Sequence, residues 1–437
     1  MRGEELVFFG WPDLAGLMRG RGFPAADLEG RLETGIGWVP VAQAIGPLST
    51  LAPSPWGALG DVWLEADREA GARVDLWPEQ PPFHAYICDG IAPDGTPWEA
   101  CLRALLRRAL DALEEEFGLR LMAAFEQEFY LVEGLARPGP NYSIIAHEQA
   151  LGFGAVLVAA LRAAGLEPET FEPEGGPGQY EVNCRPALGL AAADRALMVR
   201  ELVRAVATRE GYRASFTPMI AAQGFGNGVH VHLSLQDLDG TPVSHDPAQP
   251  AGVAAQAGSF VAGIMRRLPP LTAFTAPAPV SYLRLAPGHW AGGAAAFGAD
   301  NREAAIRICA GRHGPDGVDA AQYNFEFRPA DAAASPHVTL AVLVQAGLEG
   351  LREGLPTPTL VERDPSDLSD AEREALGVRW LPHSLEEALA AAEAEDSVRG
   401  WFPDPLWQAY VSLKRHELAA AGELAPDAVI RSYLDAY

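Results

Sequence analysis

Hydrophobic residues recur at helical spacing between residues 102 and 117, with arginines and glutamates between them. The apolar positions are Leu102, Leu105, Leu106, Ala109, Leu110, Leu113 and Phe117. This spacing predicts a helix that buries one face. We expect Pro97 to open the helix and Gly118 to end it, since glycine often closes a helix. Further helices are predicted over 146–164, 190–208, 251–267, 338–353, 385–396 and 405–420.

Shorter apolar runs predict β-strands. The run LMAAFEQEFYLV (121–132) is long enough for one buried strand, and shorter strand-like runs occupy 179–184, 229–235 and 323–328. Residues 1–96 are rich in glycine, proline and tryptophan, which predicts a small sheet with many turns. Helices and strands beyond residue 96 do not alternate strictly, so we predict an α+β fold. The expected domains are 1–96 and 97–437.

Composition and charge narrow the possible partners. The chain has 437 residues, 33 of them Lys or Arg and 58 Asp or Glu, for a net charge of −25. Such an acidic surface repels nucleic-acid backbones and anionic lipid, so neither is expected as a partner. The four cysteines are far apart, which excludes a zinc knuckle and argues against a disulfide scaffold. Without a signal peptide or a spanning apolar run, we expect a cytoplasmic protein.

Two segments contain pairs of acidic residues, one in an apolar strand and one beside a glycine-rich turn. Glu126 and Glu128 lie two positions apart in the predicted strand 121–132. Because side chains alternate along a strand, both point to one face, roughly 7 Å apart. Glu174 and Glu181 flank a glycine-rich turn. Neighbouring carboxylates repel each other unless a cation lies between them. A solvated sheet face and an ordinary surface loop are the alternative interpretations.

A second group combines histidine, glutamate and arginine. Alternation places His230, His232 and Ser234 on one strand face, and Glu326 and Arg328 on one face of another strand. Further arginines are Arg284, Arg302 and Arg307. Imidazole together with carboxylates is a common ligand set for Mg or Mn. Arginines gathered in an acidic protein indicate an anionic ligand. A core histidine and ordinary ion pairs are the alternatives.

Taken together, these groups predict a site for phosphoryl transfer. Five acids and a histidine would hold hard divalent cations, and three or more arginines would hold phosphates or carboxylates. Cations and arginines around a phosphate are the electrostatic apparatus of that reaction. The chain has no G-x-x-x-x-G-K-[ST] sequence and no kinase motifs, so a P-loop does not hold the nucleotide.

In their order along the chain, these segments resemble the glutamine synthetase family. The similar motifs are DLAGLMRGR (13–21), EQEFY (126–130), PGQYE (177–181), HVHLSL (230–235), NREAAIR (301–307), EFR (326–328), LPHSLEEAL (381–389) and YVSLKRHE (410–417). The resemblance implies a small N-terminal β-grasp domain. It also implies a larger catalytic domain with an antiparallel sheet and surrounding helices. It further implies stacked rings, by analogy a dodecamer, with active sites at subunit junctions.

The family's chemistry is implied residue by residue. ATP phosphorylates the γ-carboxylate of glutamate, and ammonia or an amine then displaces the phosphate. One ion, Mg or Mn, would be held by Glu128, Glu174 and Glu181, and the other by Glu126, His230 and Glu326. Arg284 would bind glutamate, Gly226 would bring backbone close to the substrate, and Arg302 and Arg328 would stabilise the phosphoryl group. The expected nucleotide contacts are Glu169, His232, Ser234 and Arg307.

The sequence departs from the family around the nucleophile. Trp290 stands where ammonium-using members carry a glutamate that takes a proton, and an indole cannot accept one. Phe225 stands where an asparagine usually contacts glutamate, and Asn324 where an arginine usually contacts phosphate. The family's D-G-S-S segment, which supplies an ammonium-binding acid, is not recognisable near residues 33–35. An apolar, aromatic wall suits an organic amine. The sequence therefore predicts a γ-glutamyl–amine ligase.

Two alternatives stay open. The chain could be an ordinary glutamine synthetase in which Asp300 or Glu303 takes the proton instead. It could also be a catalytically silent structural homologue, for which Asn324 is the best support. The sequence fixes neither the amine, nor the preference between Mg and Mn, nor the ring size.

Overall fold

A five-stranded sheet forms the N-terminal part of the computed structural model, which describes residues 2–314 and 317–437. Its elements are β1 (Leu6–Pro12), β2 (Met18–Pro24), α1 (Leu28–Thr34), β3 (Ile36–Trp38), β4 (Val62–Val74) and β5 (Phe83–Ile91). The strand order is β2-β1-β5-β4-β3, with β1 and β5 parallel and the other neighbours antiparallel. Alternate residues of β1, namely Val7, Phe9 and Trp11, are buried in the core. The small N-terminal sheet predicted from the sequence is therefore confirmed.

A seven-stranded sheet, a four-stranded sheet and a short hairpin follow along the chain. Their strands are β6 (Leu119–Phe125), β7 (Gln127–Glu133), β8 (Pro168–Pro173), β9 (Gln179–Cys184), β10 (Ala187–Leu188), β11 (Arg213–Ser215), β12 (Val231–Asp237), β13 (Ala294–Ala299), β14 (Ala304–Cys309), β15 (His313–Gly314), β16 (Gly317–Val318), β17 (Asn324–Phe327) and β18 (Arg379–Trp380). One sheet has the order β10-β6-β12-β17-β14-β13-β18, and the other β11-β7-β9-β8. Every pairing in them is antiparallel except β13 with β14.

Helices surround these sheets. They are α2 (Leu102–Phe117), α3 (Ile144–Gln149), α4 (Leu151–Ala163), α5 (Gly189–Arg209), α6 (Ala255–Thr275), α7 (Ser281–Arg284), α8 (Pro336–Glu353), α9 (Asp370–Leu376), α10 (Leu385–Glu393), α11 (Asp396–Arg399), α12 (Asp404–Gly422) and α13 (Pro426–Ala436). Helices α2 and α5 pack on β6, and α6 packs on α8. The α+β class is confirmed. Within the described part of the chain, no helix has the length and apolar character that a bilayer crossing requires.

Several predicted boundaries are wrong. Helix α2 begins at Leu102, because Pro97 pairs with Ile91 and the Trp98 N–H donates to the carbonyl of Gly90, which ties this stretch to β5. The predicted helix 146–164 is broken at Ala150, and the predicted helix 385–396 ends at Glu393. Helix α6 begins later than the predicted range 251–267, and it continues past the predicted end through Pro269 and Pro270.

The predicted single strand 121–132 is also wrong, and its division shapes the site. The chain leaves the seven-stranded sheet after Phe125 and joins the four-stranded sheet at Gln127. Between them, the N–H of Glu126 donates to the carbonyl of His230 over 3.0 Å. The two sheets therefore meet at Glu126.

A buried arginine joins the N-terminal sheet to the rest of the chain. The side chain of Arg103, on α2, is fully buried. Its guanidinium lies 2.6 Å from Asp67 on β4, 2.8 Å from Asp89 on β5 and 2.9 Å from Asp194 on α5. Because three carboxylates surround one cation, the arginine links elements from both parts of the chain. The predicted boundary at residue 96 falls between β5 and this helix.

Candidate active site

Three glutamates form a row across the four-stranded sheet. Glu128 on β7 lies directly opposite Glu181 on β9, and Glu181 lies directly opposite Glu172 on β8. Side chains at directly opposed positions share a face and lie about 5 Å apart. Glu174 follows β8, where its N–H donates to the carbonyl of Gln179 and closes the glycine turn. All four carboxylates line one cavity.

Glu126, at the junction of the sheets, contacts two histidines. His230 Nδ1 lies 2.9 Å from Glu126 Oε2 and 3.5 Å from Glu326 Oε1. His232 Nε2 lies 2.9 Å from Glu126 Oε1. His232 pairs directly across the sheet with Glu326. The six predicted metal ligands therefore converge on one region.

The tightest group of potential ligand atoms differs in one member from the predicted set. Glu126, His232 and Glu326 each offer an atom within 4.8 Å of the others. The resemblance had implied His230 in that set and His232 as a nucleotide contact. His230 Nε2 lies 3.2 Å from Arg284 Nη2, so its Nδ1 is the atom turned towards Glu126. Each histidine therefore has a ring nitrogen within hydrogen-bonding distance of Glu126.

Burial and crowding set the charges of the carboxylates. Burial raises the pKa of Glu128 to about 7 despite the opposing effect of Arg284. Burial and the charges of the other glutamates raise the pKa of Glu181, and burial raises that of Glu174. Burial also acts to raise the pKa of Glu126, but hydrogen bonds from His230 and His232 hold it well below its usual value. Crowded oxygen ligands whose ionisation is suppressed fit a site for hard divalent cations.

Arginines form the opposite side of the cavity. Arg284, on α7, is buried and donates to the carbonyl of Ala330 over 3.1 Å. Arg328 and Arg307 both donate to the buried carboxylate of Glu326. Arg302 lines the same cavity, and its side chain is exposed. The prediction that Glu326 and Arg328 lie on one face of a strand is confirmed, because their side chains are in direct contact.

The cavity between these acids and arginines, here called the first cavity, has a volume of about 530 Å³. A second cavity of about 470 Å³ adjoins it. The first is lined by all six predicted metal ligands, the four arginines, Gly226, Phe225 and Trp290. The second is lined by the other predicted nucleotide contacts, Glu169, His232 and Ser234. Glu126 and Asn183 line both cavities. Arg307, expected with the nucleotide group, instead lies in the first cavity.

Trp290 occupies the cavity at the position where an acid was expected. Trp290 is 50% exposed and has a backbone φ of 53°, a conformation that non-glycine residues seldom adopt. Its carbonyl accepts from Arg328 Nη2 over 2.5 Å, and its N–H donates to Glu303 Oε1 over 3.1 Å. Neither Glu303 nor Asp300, the two alternative bases, is among the residues that line the cavity.

Sequence reasoning missed several lining residues: Tyr142, Glu172, Gln179, Asn183 and His289. Gln179 organises the metal side, because its Nε2 donates to Glu128 Oε2 over 3.0 Å and to the carbonyl of Gly226 over 2.9 Å. Asn183 lies two positions after Glu181, so strand alternation could have found it. Glu172 could have been found only from the pairing of β8 with β9, which the sequence did not reveal.

Comparisons with known proteins give the following matches. Residues 99–433 match the family description "Glutamine synthetase, catalytic domain", and residues 2–98 match "Glutamine synthetase N-terminal domain". The chain is 36% identical over 442 residues to γ-glutamylpolyamine synthetase GlnA3 of Streptomyces coelicolor, covering 99% of this chain and 93% of that protein. It is 32% identical over 435 residues to a glutamine synthetase of Mycolicibacterium smegmatis, covering 95% of this chain and 93% of that protein.

Two solved structures are similar along the whole chain. One, described as a novel glutamine synthase homolog, has a TM-score of 0.91 and 41% identity, and the match covers 100% of this chain and 99% of the other. The second is a GmaS/ADP complex with a TM-score of 0.83 and 25% identity, covering 99% of this chain and 97% of the other. The likeness extends over both the N-terminal sheet and the larger part of the chain.

Proposed function

The chain belongs to the glutamine synthetase family of ATP-dependent ligases, and we propose that it joins glutamate to an organic amine through a γ-glutamyl phosphate. The observation that carries this proposal is the exposed side chain of Trp290 in a cavity that keeps the full set of acidic ligands. An indole neither accepts a proton nor attracts ammonium through a formal charge, but it buries an apolar or cationic amine well. The similarity to a γ-glutamylpolyamine synthetase supports the same function.

The residues of the cavity suit each step. The γ-phosphoryl group of ATP would pass to a γ-carboxylate oxygen of glutamate, releasing ADP. Mg²⁺ or Mn²⁺ held by the carboxylates would neutralise charge on the phosphoryl group. Arg284 would hold the α-carboxylate of glutamate, and Arg302 and Arg328 would stabilise the transferring group. The amine nitrogen would then attack the acyl carbon, phosphate would leave, and the nitrogen would lose a proton to water.

The second cavity suits the nucleotide. It opens beside the metal ligands at Glu126, so a nucleotide bound there would direct its terminal phosphate into the first cavity. Glu169, His232 and Ser234 offer polar contacts along its walls. The short distance between the two cavities supports direct transfer of the phosphoryl group to a neighbouring acid.

Self-association is proposed together with this function. Exposed apolar residues cluster in the segment 144–151, just after Tyr142 of the cavity, where Ile144 is 70% exposed and Ile145 is 55% exposed. Such a patch supports a subunit contact, and stacked rings, by family analogy dodecamers, would cover it. Since all four cysteines are free thiols in the structure, we further propose a reducing compartment, the cytoplasm.

The second candidate function is glutamine synthesis with ammonia. Relatives named glutamine synthetase support it, and Glu303 lies close enough to the backbone of Trp290 to offer a displaced base after a local movement. The convergence of the six acidic and imidazole ligands argues against a silent homologue.

The test is a panel of amines with glutamate, ATP and either Mg²⁺ or Mn²⁺, read by ADP release and product mass. We expect amide products with one or more alkyl, aryl or polyamine substrates and low turnover with ammonium. Chelation with EDTA should abolish turnover, and either metal should restore it. The variant Trp290→Glu should raise the ratio of ammonium to amine turnover at least about tenfold. Ordinary turnover of the unaltered enzyme with ammonium alone would refute the amine proposal.

A further inference from the structure

Exposed aromatic residues concentrate in the active-site cavity. In the described ranges 2–314 and 317–437, the exposed aromatic residues are Trp63 (37%), Tyr142 (55%), Phe225 (44%) and Trp290 (50%). Three of these four line the first cavity, and only Trp63 lies elsewhere. Exposing large aromatic surface to water is unfavourable, so its concentration at one place indicates a ligand that covers it.

An acid outside the predicted metal set stands among them. Glu172 continues the row formed by Glu128 and Glu181, one strand farther out, and its side chain is exposed. The preceding acids pair with arginines, since Glu169 lies 3.4 Å from Arg185 and Glu167 lies 3.0 Å from Arg195. No comparable pair of the described residues includes Glu172. Its negative charge is therefore open to a cation that enters the cavity.

This acid and the three aromatic residues line the same cavity. A side-chain carbon added at Gly175 would lie 2.5 Å from the ring of Phe225, so the ring rests on the turn that follows β8. The segment 172–175 thus carries the acid and supports the ring of Phe225, and Trp290 lines the same cavity.

Resting on the amine ligation proposed above, we propose that the amine substrate carries a second positive charge, which Glu172, Phe225 and Trp290 bind while the first nitrogen reacts. An organic ammonium group combines attraction to the carboxylate with attraction to aromatic faces. The preferred substrates are therefore diamines or longer polyamines.

The experiment compares two amines of equal chain length, 1,4-diaminobutane and butylamine, which differ in the distal charge. We expect the unaltered enzyme to favour the diamine at least about tenfold in kcat/KM, corresponding to roughly 1.4 kcal/mol. The variant Glu172→Gln should raise KM for the diamine about tenfold and change kcat little, because the distal contact exists before and during the reaction. Its kinetics with butylamine should change less than about twofold.

Two further variants separate the effect of the aromatic ring from a general effect of removing a negative charge. Phe225→Leu keeps apolar volume but removes the aromatic face, and it should reduce the preference for the diamine about threefold or more. The matched control is Glu133→Gln, an exposed acid at the end of β7 that does not line the cavity, and it should leave both amines unaffected.

The outcomes distinguish this inference from the function on which it rests. Equal use of both amines would overturn the distal-charge proposal and leave amine ligation intact. If neither amine nor any other amine yields a product, the proposed function itself fails. If Glu172→Gln weakens both amines equally, or raises the Mn²⁺ concentration required, the acid acts through a metal and this inference is wrong.

Discussion

Replacing Glu128 by glutamine should stabilise the metal-free protein. Burial raises the pKa of this carboxyl from 4.5 to about 7, so holding it ionised above pH 7 costs about 3 kcal/mol relative to the unfolded chain. Glutamine has nearly the same shape and removes the charge. It can also keep the two hydrogen bonds that Oε2 accepts, from Gln179 over 3.0 Å and from the Gly228 N–H over 2.9 Å.

The stabilisation should depend on pH in a defined direction. An acid whose pKa is higher in the folded protein binds more protons there between pH 4.5 and 7, so the stability of the unaltered protein falls as pH rises through this window. The advantage of Glu128→Gln should be near zero at pH 4.5, grow up to pH 7 and then reach a plateau of up to about 3 kcal/mol.

Divalent ions should reverse the order of stability. A metal that binds only the folded state stabilises it by RT ln(1 + [M]/Kd), which is about 4.1 kcal/mol at one thousand times Kd and so exceeds the metal-free advantage of the variant. The variant replaces a charged metal ligand by a neutral amide, so it loses most of the stabilisation that the metal provides. At pH 8 we therefore expect Glu128→Gln to be more stable with EDTA, less stable with saturating Mn²⁺, and inactive in ADP release.

The assay is urea unfolding at fixed protein concentration, at pH 5 and pH 8, with EDTA or Mn²⁺. Glu133→Gln is the control, since it removes an exposed acid at the end of the same strand, and its stability should change by less than about 0.5 kcal/mol. A metal-free Glu128→Gln protein that is less stable than the unaltered protein at pH 8 would refute the reasoning. So would a variant that Mn²⁺ stabilises as much as it stabilises the unaltered protein.

Two further substitutions test other contacts. Gly175→Ala should push the ring of Phe225 aside, since the added carbon would lie 2.5 Å from it, and should lower kcat/KM for the amine about tenfold; Gly152→Ala, with no atom within 4 Å of the added carbon, is the control and should leave kinetics unchanged. Arg103→Met should destabilise the protein by about 3 kcal/mol in urea unfolding, because three carboxylates lose their shared cation; a loss under 1 kcal/mol would contradict this role.

The convergence of acids was predictable because it depends on simple strand geometry. Period-two alternation placed Glu326 and Arg328 on one face, and the structure shows them in contact. Helices such as α5 and α8 were predicted within two residues, since their apolar spacing is long and regular. These features depend on neighbours in the sequence, and local patterns describe neighbours well.

The division of the strand at Glu126 was not predictable from local pattern. The segments before and after Glu126 are rich in apolar residues and suit a continuous buried strand, so periodicity contains no sign of a change of sheet. The break is set by a partner distant in sequence, the carbonyl of His230. The same applies to Glu172, whose place beside the metal ligands follows from its pairing with Glu181. Long-range register, rather than residue type, determines both.

At Trp290, the motif and the structure give different information about the proton acceptor. The resemblance identifies the position as one where a proton acceptor is usual, but it cannot say whether a neighbouring acid replaces that acceptor. The structure places Glu303 against the backbone N–H of Trp290, outside the lining of the cavity, while the indole remains exposed within it. The hydrogen bond to Glu303 helps to fix the backbone at Trp290, and in that conformation the cavity has an aromatic surface. The proposed use of an organic amine rather than ammonia therefore rests on the indole that this segment presents to the cavity.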